Sequence, residues 1–134
     1  MRVLLLDYSG TLSTLDDPVA FVEKLRAQGD HCILMSGHSP VHITENHPGL
    51  VEACHKYKSR VPLTEVVQEL TNTHPIFEDP KGPLQGITEV VVVDDFRGNV
   101  NAANRCTVMF QRDHGFPSRG VLTEDIQTLL EPGN

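Results

Sequence analysis

The sequence predicts an α/β fold: a doubly wound, mainly parallel sheet flanked by helices, in a single domain over residues 1–134 with no large cap domain. Two observations carry this. Apolar runs such as Val3-Leu4-Leu5-Leu6 and Val90-Val91-Val92-Val93 are continuous rather than alternating, as strands buried on both faces of a parallel sheet require. Between them lie segments whose apolar residues recur at the helical period, so strand and helix alternate along the chain. At 134 residues there is room for one core.

Taken in order, Arg2–Leu6 reads as the first strand. Asp17 caps a helix that has Pro18 at its first position, runs through Val19, Val22 and Leu25, and closes at Gly29. Cys32–Met35 is a second short strand. Ser39-Pro40 repeats the cap-and-proline start, but the polar stretch through His47 predicts only a short helix, followed by a further turn or two between Pro48 and His55. Pro62 precedes an amphipathic helix carrying Leu63, Val66, Val67 and Leu70. His74 to Gly86 holds three prolines and two glycines and reads as a loop. Glu89–Val93 is the clearest strand, Asn99–Asn104 a helix and Thr107–Gln111 a last strand. Thr123 caps a terminal helix through Ile126, Leu129 and Leu130, ended by Pro132-Gly133.

Composition narrows the function. Eleven Lys and Arg against eighteen Asp and Glu give a net charge of −7, which argues against non-specific binding to nucleic acid or an anionic membrane. Three cysteines, Cys32, Cys54 and Cys106, form no CxxC pair and point to free thiols in a reducing compartment. The N-terminal apolar run stops at Asp7, too short for a signal segment or a membrane span. The chain is therefore read as cytoplasmic.

Polar groups follow three of the apolar strands: Asp7, Ser36 and the pair Asp94-Asp95. In a parallel sheet these ends share one edge, where ligands bind. Carboxylates from two strand ends can hold a hard cation such as Mg²⁺. Any one of them alone is ordinary turn chemistry; the combination is not.

In this setting Asp7-Tyr8-Ser9-Gly10-Thr11-Leu12, after Val3–Leu6, resembles the first motif of the haloacid dehalogenase superfamily. Ile33-Leu34-Met35-Ser36 is similar to its second motif, and Val90–Val93 with Asp94-Asp95-Phe96-Arg97-Gly98-Asn99 to its fourth. The resemblance spans about residues 2–111. It implies a Rossmann-like core and a Mg²⁺-dependent phosphohydrolase in which Asp7 is the nucleophile. Ser36, with Gly37 beside it, would bind the phosphoryl group, and Asp7, Ser9, Asp94 and Asp95 would form the metal site. The family's motif lysine is best matched by Lys58, ahead of the Pro62 helix in the basic stretch His55-Lys56-Tyr57-Lys58-Ser59-Arg60; Lys56 and Lys81 are the alternatives.

One position departs from the family pattern. Where its phosphatases carry a second Asp as general acid and base, this chain has Ser9, a poor base near neutral pH. No segment is long enough for a large cap. The resemblance therefore implies a phosphorylated partner that is macromolecular, or a site closed by a second subunit of a homo-oligomer. The alternative is a weak or inactive domain of the same fold that binds a phosphorylated partner or serves in assembly. A receiver domain and a dehalogenase fit less well, the first by motif order and the second by the missing cap. His38, His42 and His47 lack a strong zinc spacing, and Arg112, His114 and Arg119 read as a solvated loop.

Overall fold

In the computed structural model, which describes residues 1–71 and 84–130, the N-terminal aliphatic run becomes β1 (Arg2–Asp7) at the centre of the sheet. It pairs in parallel with β2 (His31–Ser36) on one side and β4 (Glu89–Asp94) on the other. Outside these lie β3 (Lys56–Ser59) and β5 (Ser118–Leu122), also parallel. Among the described residues the order is β3-β2-β1-β4-β5. The chain winds outward from β1 through β2 to β3, then crosses back and winds the other way. This is a Rossmann-like doubly wound fold, and its order reverses between β1 and β4.

Each face of the sheet has its own apolar cluster. Leu4 and Leu6 of β1 join Cys32, Leu34, Val91, Val93 and Val121 on the face covered by α1 (Pro18–Ala27), α2 (Pro40–Asn46), α3 (Leu50–Ala53) and the C-terminal 3₁₀ turns at Thr123–Leu130. Val3 and Leu5 point the other way, with Ile33 and Val90, toward α4 (Leu63–Thr71) and α6 (Thr107–His114). The predicted caps form: Asp17 Oδ1 accepts the Ala20 N–H at 3.0 Å and Ser39 Oγ that of His42 at 3.2 Å, each worth about 1 kcal/mol. Among the described residues no helix is long and apolar enough to cross a membrane. All three cysteines are free, Cys32 and Cys54 within the core.

Four elements differ from the sequence expectation. Thr107–Gln111 is not the last strand but the start of α6. Its apolar residues Cys106, Met109 and Phe110 pack on the core at i, i+3 and i+4, the helical spacing. Val108 is turned out to solvent at 75% exposure, whereas a strand would have put it on the same side as Phe110. The last strand is Ser118–Leu122, hidden in the sequence by its Arg119-Gly120. Lys56–Ser59 is an edge strand, where exposed lysines are usual. The terminal segment is 3₁₀ rather than α-helical. The 74–83 part of the expected loop, Lys81 and Pro132-Gly133 lie outside the described residues.

Gly120 fixes how closely α5 (Arg97–Arg105) can lie on β5. A Cβ there would sit 2.6 Å from Val100 Cα, with backbone rather than a movable side chain in the way. Gly120→Ala is expected to cost about 1–3 kcal/mol, read as a lower urea midpoint with an unchanged slope. A midpoint equal to wild type would show that α5 yields freely.

Candidate functional site

The reversal of strand order brings the ends of β1 and β4 together. Leu6 pairs with Val93, so Asp7 and Asp94 follow side by side on one face of the sheet. Asp95 comes from the next turn. Oxygen atoms of the three carboxylates all lie within 4.8 Å of one another. Asp7 and Asp94 are buried, at 3% and 4% exposure, while Asp95 is exposed. Asp95 reaches the group because Gly10 has no side chain: a Cβ on Gly10 would lie 2.5 Å from Asp95 Oδ2, and Gly10 itself stands at φ +74°, a conformation that favours glycine.

Each buried carboxylate has its own supports. Thr11, fully buried, donates through Oγ1 to Asp7 Oδ2 at 3.3 Å and is itself 2.8 Å from Thr123 Oγ1. Asp94 accepts from the Phe96 N–H at 3.0 Å and from Asn99 Nδ2 at 2.9 Å, one helical turn into α5. A single cation meets both: Arg60 donates from one guanidinium nitrogen to Asp7 Oδ1, and the other lies 3.6 Å from Asp94 Oδ2.

These surroundings push the two acids apart. Burial, and then the charge of Asp94, lift Asp7 from its ordinary 3.8 to about 7, against the pull of Arg60. Burial would raise Asp94 as well, but the hydrogen bonds from Phe96 and Asn99 outweigh it and hold Asp94 below its usual range. Near neutral pH the pair thus tends to share one proton, with Asp94 the charged member.

Other sequence-predicted residues fall around this centre. Ser36 ends β2, buried, and its Oγ accepts the His38 N–H at 2.9 Å. Gly37 and Ser9 are exposed turn positions. Lys58, opposite Met35 in the β2–β3 register, is ion-paired with Glu69 of α4. The cation at the carboxylates is Arg60, two residues further on. Lys56 is exposed on β3. Arg60, Thr11 and Asn99 were not singled out from the sequence. Arg60 did lie in its most basic stretch, and Asn99 at the helical offset from the acidic pair.

His38 and His42 stack on each other at 4.3 Å between ring centroids, and Tyr8 OH lies 2.7 Å from His47 Nδ1. Among the described residues the only group of acidic, His or Cys side chains close enough for a metal is Asp7, Asp94 and Asp95. Three oxygen donors with two buried acids and one nearby cation fit a hard divalent ion such as Mg²⁺. Comparison with protein-family models, curated proteins and solved structures finds no match to this chain.

The shift of Asp7 gives a pH prediction for the metal-free protein. A folded-state pKa near 7 means that the folded state keeps a proton the unfolded chain has already lost. Stability therefore falls as pH rises from about 4 to about 7, and the loss is complete above that. Asp7→Asn removes the ionisation. Its melting temperature in EDTA is expected to exceed wild type at pH 8, with the advantage shrinking toward pH 4. An advantage independent of pH would show that Asp7 does not titrate in this window.

Proposed function

We propose that this protein is a Mg²⁺-dependent phosphohydrolase acting through an aspartyl-phosphate on Asp7. The observation that carries the reading is the meeting of three carboxylates and one guanidinium at the point where the strand order reverses. The first-motif resemblance around Asp7 agrees with it. Mg²⁺, held by Asp7, Asp94 and Asp95, with Ser9 assigned to the same site by the resemblance, would supply charge neutralisation for the phosphoryl oxygens.

The rest is the work of the chain. An oxygen of Asp7 attacks phosphorus, and the bond from phosphorus to the ester oxygen breaks. The departing oxygen takes its proton from solvent, because Ser9 offers no carboxyl group to donate one. Water then attacks the phosphorus of the acyl phosphate, releasing inorganic phosphate and restoring the Asp7 carboxylate. Arg60, two donors wide and always charged, is the natural partner for the phosphoryl oxygens and takes the part the resemblance gives to Lys58. Ser36 Oγ accepts the His38 N–H and keeps its O–H proton to donate.

A second reading, a domain that binds a phosphorylated partner without turnover, is favoured by Ser9 and by the engagement of Asp7 with Arg60. The two readings part on activity. A Mg²⁺-dependent screen over nucleotides, sugar phosphates, phosphopeptides, acyl phosphates and nucleic-acid ends is expected to reveal hydrolysis. Asp7→Asn is expected to retain less than about 1% of it, and Arg60→Ala to lose more than Lys58→Ala. Activity that survives Asp7→Asn would remove the covalent route.

General acid–base help is typically worth about 10²–10⁴-fold, so alkyl phosphates should be slow substrates and the intermediate should accumulate. Ser9→Asp is expected to speed their turnover and shorten the life of the acyl phosphate, followed by rapid quench with labelled substrate. No trapped intermediate in wild type, with no gain in the variant, would favour the binding reading.

A further inference from the structure

On the face of the sheet that carries Asp7, coverage declines toward the C-terminal strand ends. Ile33 and Val90 are completely buried, but two residues further along their strands Met35 and Val92 are only half-buried. There, beside α4 and α5, lies a cleft of about 480 Å³. Asp7, Asp94, Arg60 and Asn99 form its polar side. Among the described residues the rest of its lining is apolar, including Leu5, Met35, Val61, Leu63 and Val92.

We infer that this cleft seats the organic part of the substrate, and that the substrate is a small phosphate monoester with an apolar, alkyl or aryl body. The inference rests on the phosphohydrolase reading and departs from the macromolecular substrate that the missing cap suggested. A volume of this size falls within the range of small-molecule sites, which pair apolar walls with a few convergent polar groups. Its charge is complementary at one end only. Arg60 answers a phosphoryl group, while among the described residues the apolar walls offer no polar side chain to hydroxyl or amide groups, whose burial without partners is costly. The one neutral polar side chain on the polar side, Asn99, is already committed to Asp94. In-line displacement puts the leaving group on the far side of phosphorus from the attacking oxygen. Asp7 lines the cleft from the sheet, and Val61, Pro62 and Leu63 line it from the end of the β3–α4 connection and the start of α4, so a substituent departing into the cleft meets apolar walls.

Calorimetric titration of the full chain in Mg²⁺ with methyl-, butyl- and hexylphosphonate tests this without any turnover. Affinity is expected to rise about fourfold per added methylene, the gain that burial of one such group gives. Ala102, on the α5 side of the cleft, provides the second arm: Ala102→Leu should erase most of the gain between methyl and hexyl. Should that variant not fold, the wild-type series decides alone. Binding that ignores chain length overturns the inference and leaves the phosphoryl reading intact, as a macromolecular substrate would. Failure of every phosphonate to bind overturns the phosphohydrolase reading, and this inference with it.

Discussion

Two carboxyl groups cannot be placed side by side in a buried strand edge without support, and much of the structure around residues 7 and 94 supplies it. Asp7 and Asp94 meet because the sheet reverses its order between β1 and β4, which leaves no helix crossing between those two strand ends. The backbone of that arrangement does not require acids at those two positions. Instead the fold commits Thr11, Asn99, the Phe96 N–H and the guanidinium of Arg60 to the pair, and burial beside Asp94 still holds Asp7 well above the usual carboxylate range. An acid left in that state retains capacity for a further positive charge. On the proposed reading, binding of a cation and a phosphoryl group gives the reason to keep such a site.

The architecture was legible because its signals are local. Three of the five strands, β1, β2 and β4, announce themselves as apolar runs. Their centres are continuous apolar residues, Val, Leu and Ile with Cys32 and Met35 in β2, and the caps at Asp17 and Ser39 declare their helices. The edge strand β3 was invisible because a strand with one neighbour needs no apolar run, and Lys56-Tyr57-Lys58-Ser59 has none. At Thr107–Gln111 the β-favouring Thr, Val and Phe misled, since the deciding information was the spacing of Cys106, Met109 and Phe110 against a core formed by distant residues. Tertiary packing overrode propensity there.

The candidate site divides in the same way. Asp7, Asp94 and Asp95 could be placed together from sequence because strand ends in a parallel sheet share an edge. Which cation would join them could not. Lys58 and Arg60 are two residues apart, in one basic stretch, and only the end of β3 separates their fates. Lys58 belongs to the strand, so its direction is set by the pleat, and Glu69 of α4 holds it. Arg60 follows the last paired residue, Ser59, and is released from that alternation.

Reach decides the rest. β3 lies two strands from β1, about 10 Å by the usual interstrand spacing, with β2 between them. A side chain inside the ladder cannot cross that gap, because its neighbours on β2 occupy the same face; Met35 stands directly opposite Lys58. A long side chain starting beyond the strand end is not so confined, and Arg60 reaches both Asp7 and Asp94. Pro62, just before α4, limits the conformations of the connection that launches it. The guanidinium then meets Asp7 and Asp94 through different nitrogens, which a lysine ammonium could match only as a point charge. On the proposed reading, that fork lets one residue neutralise the acids when the site is empty of phosphate and bind phosphoryl oxygens when it is not. The same side chain also lines the cleft, so the choice of arginine just past the end of β3 couples the charge of the acidic cluster to the space that, on the proposed reading, receives the substrate.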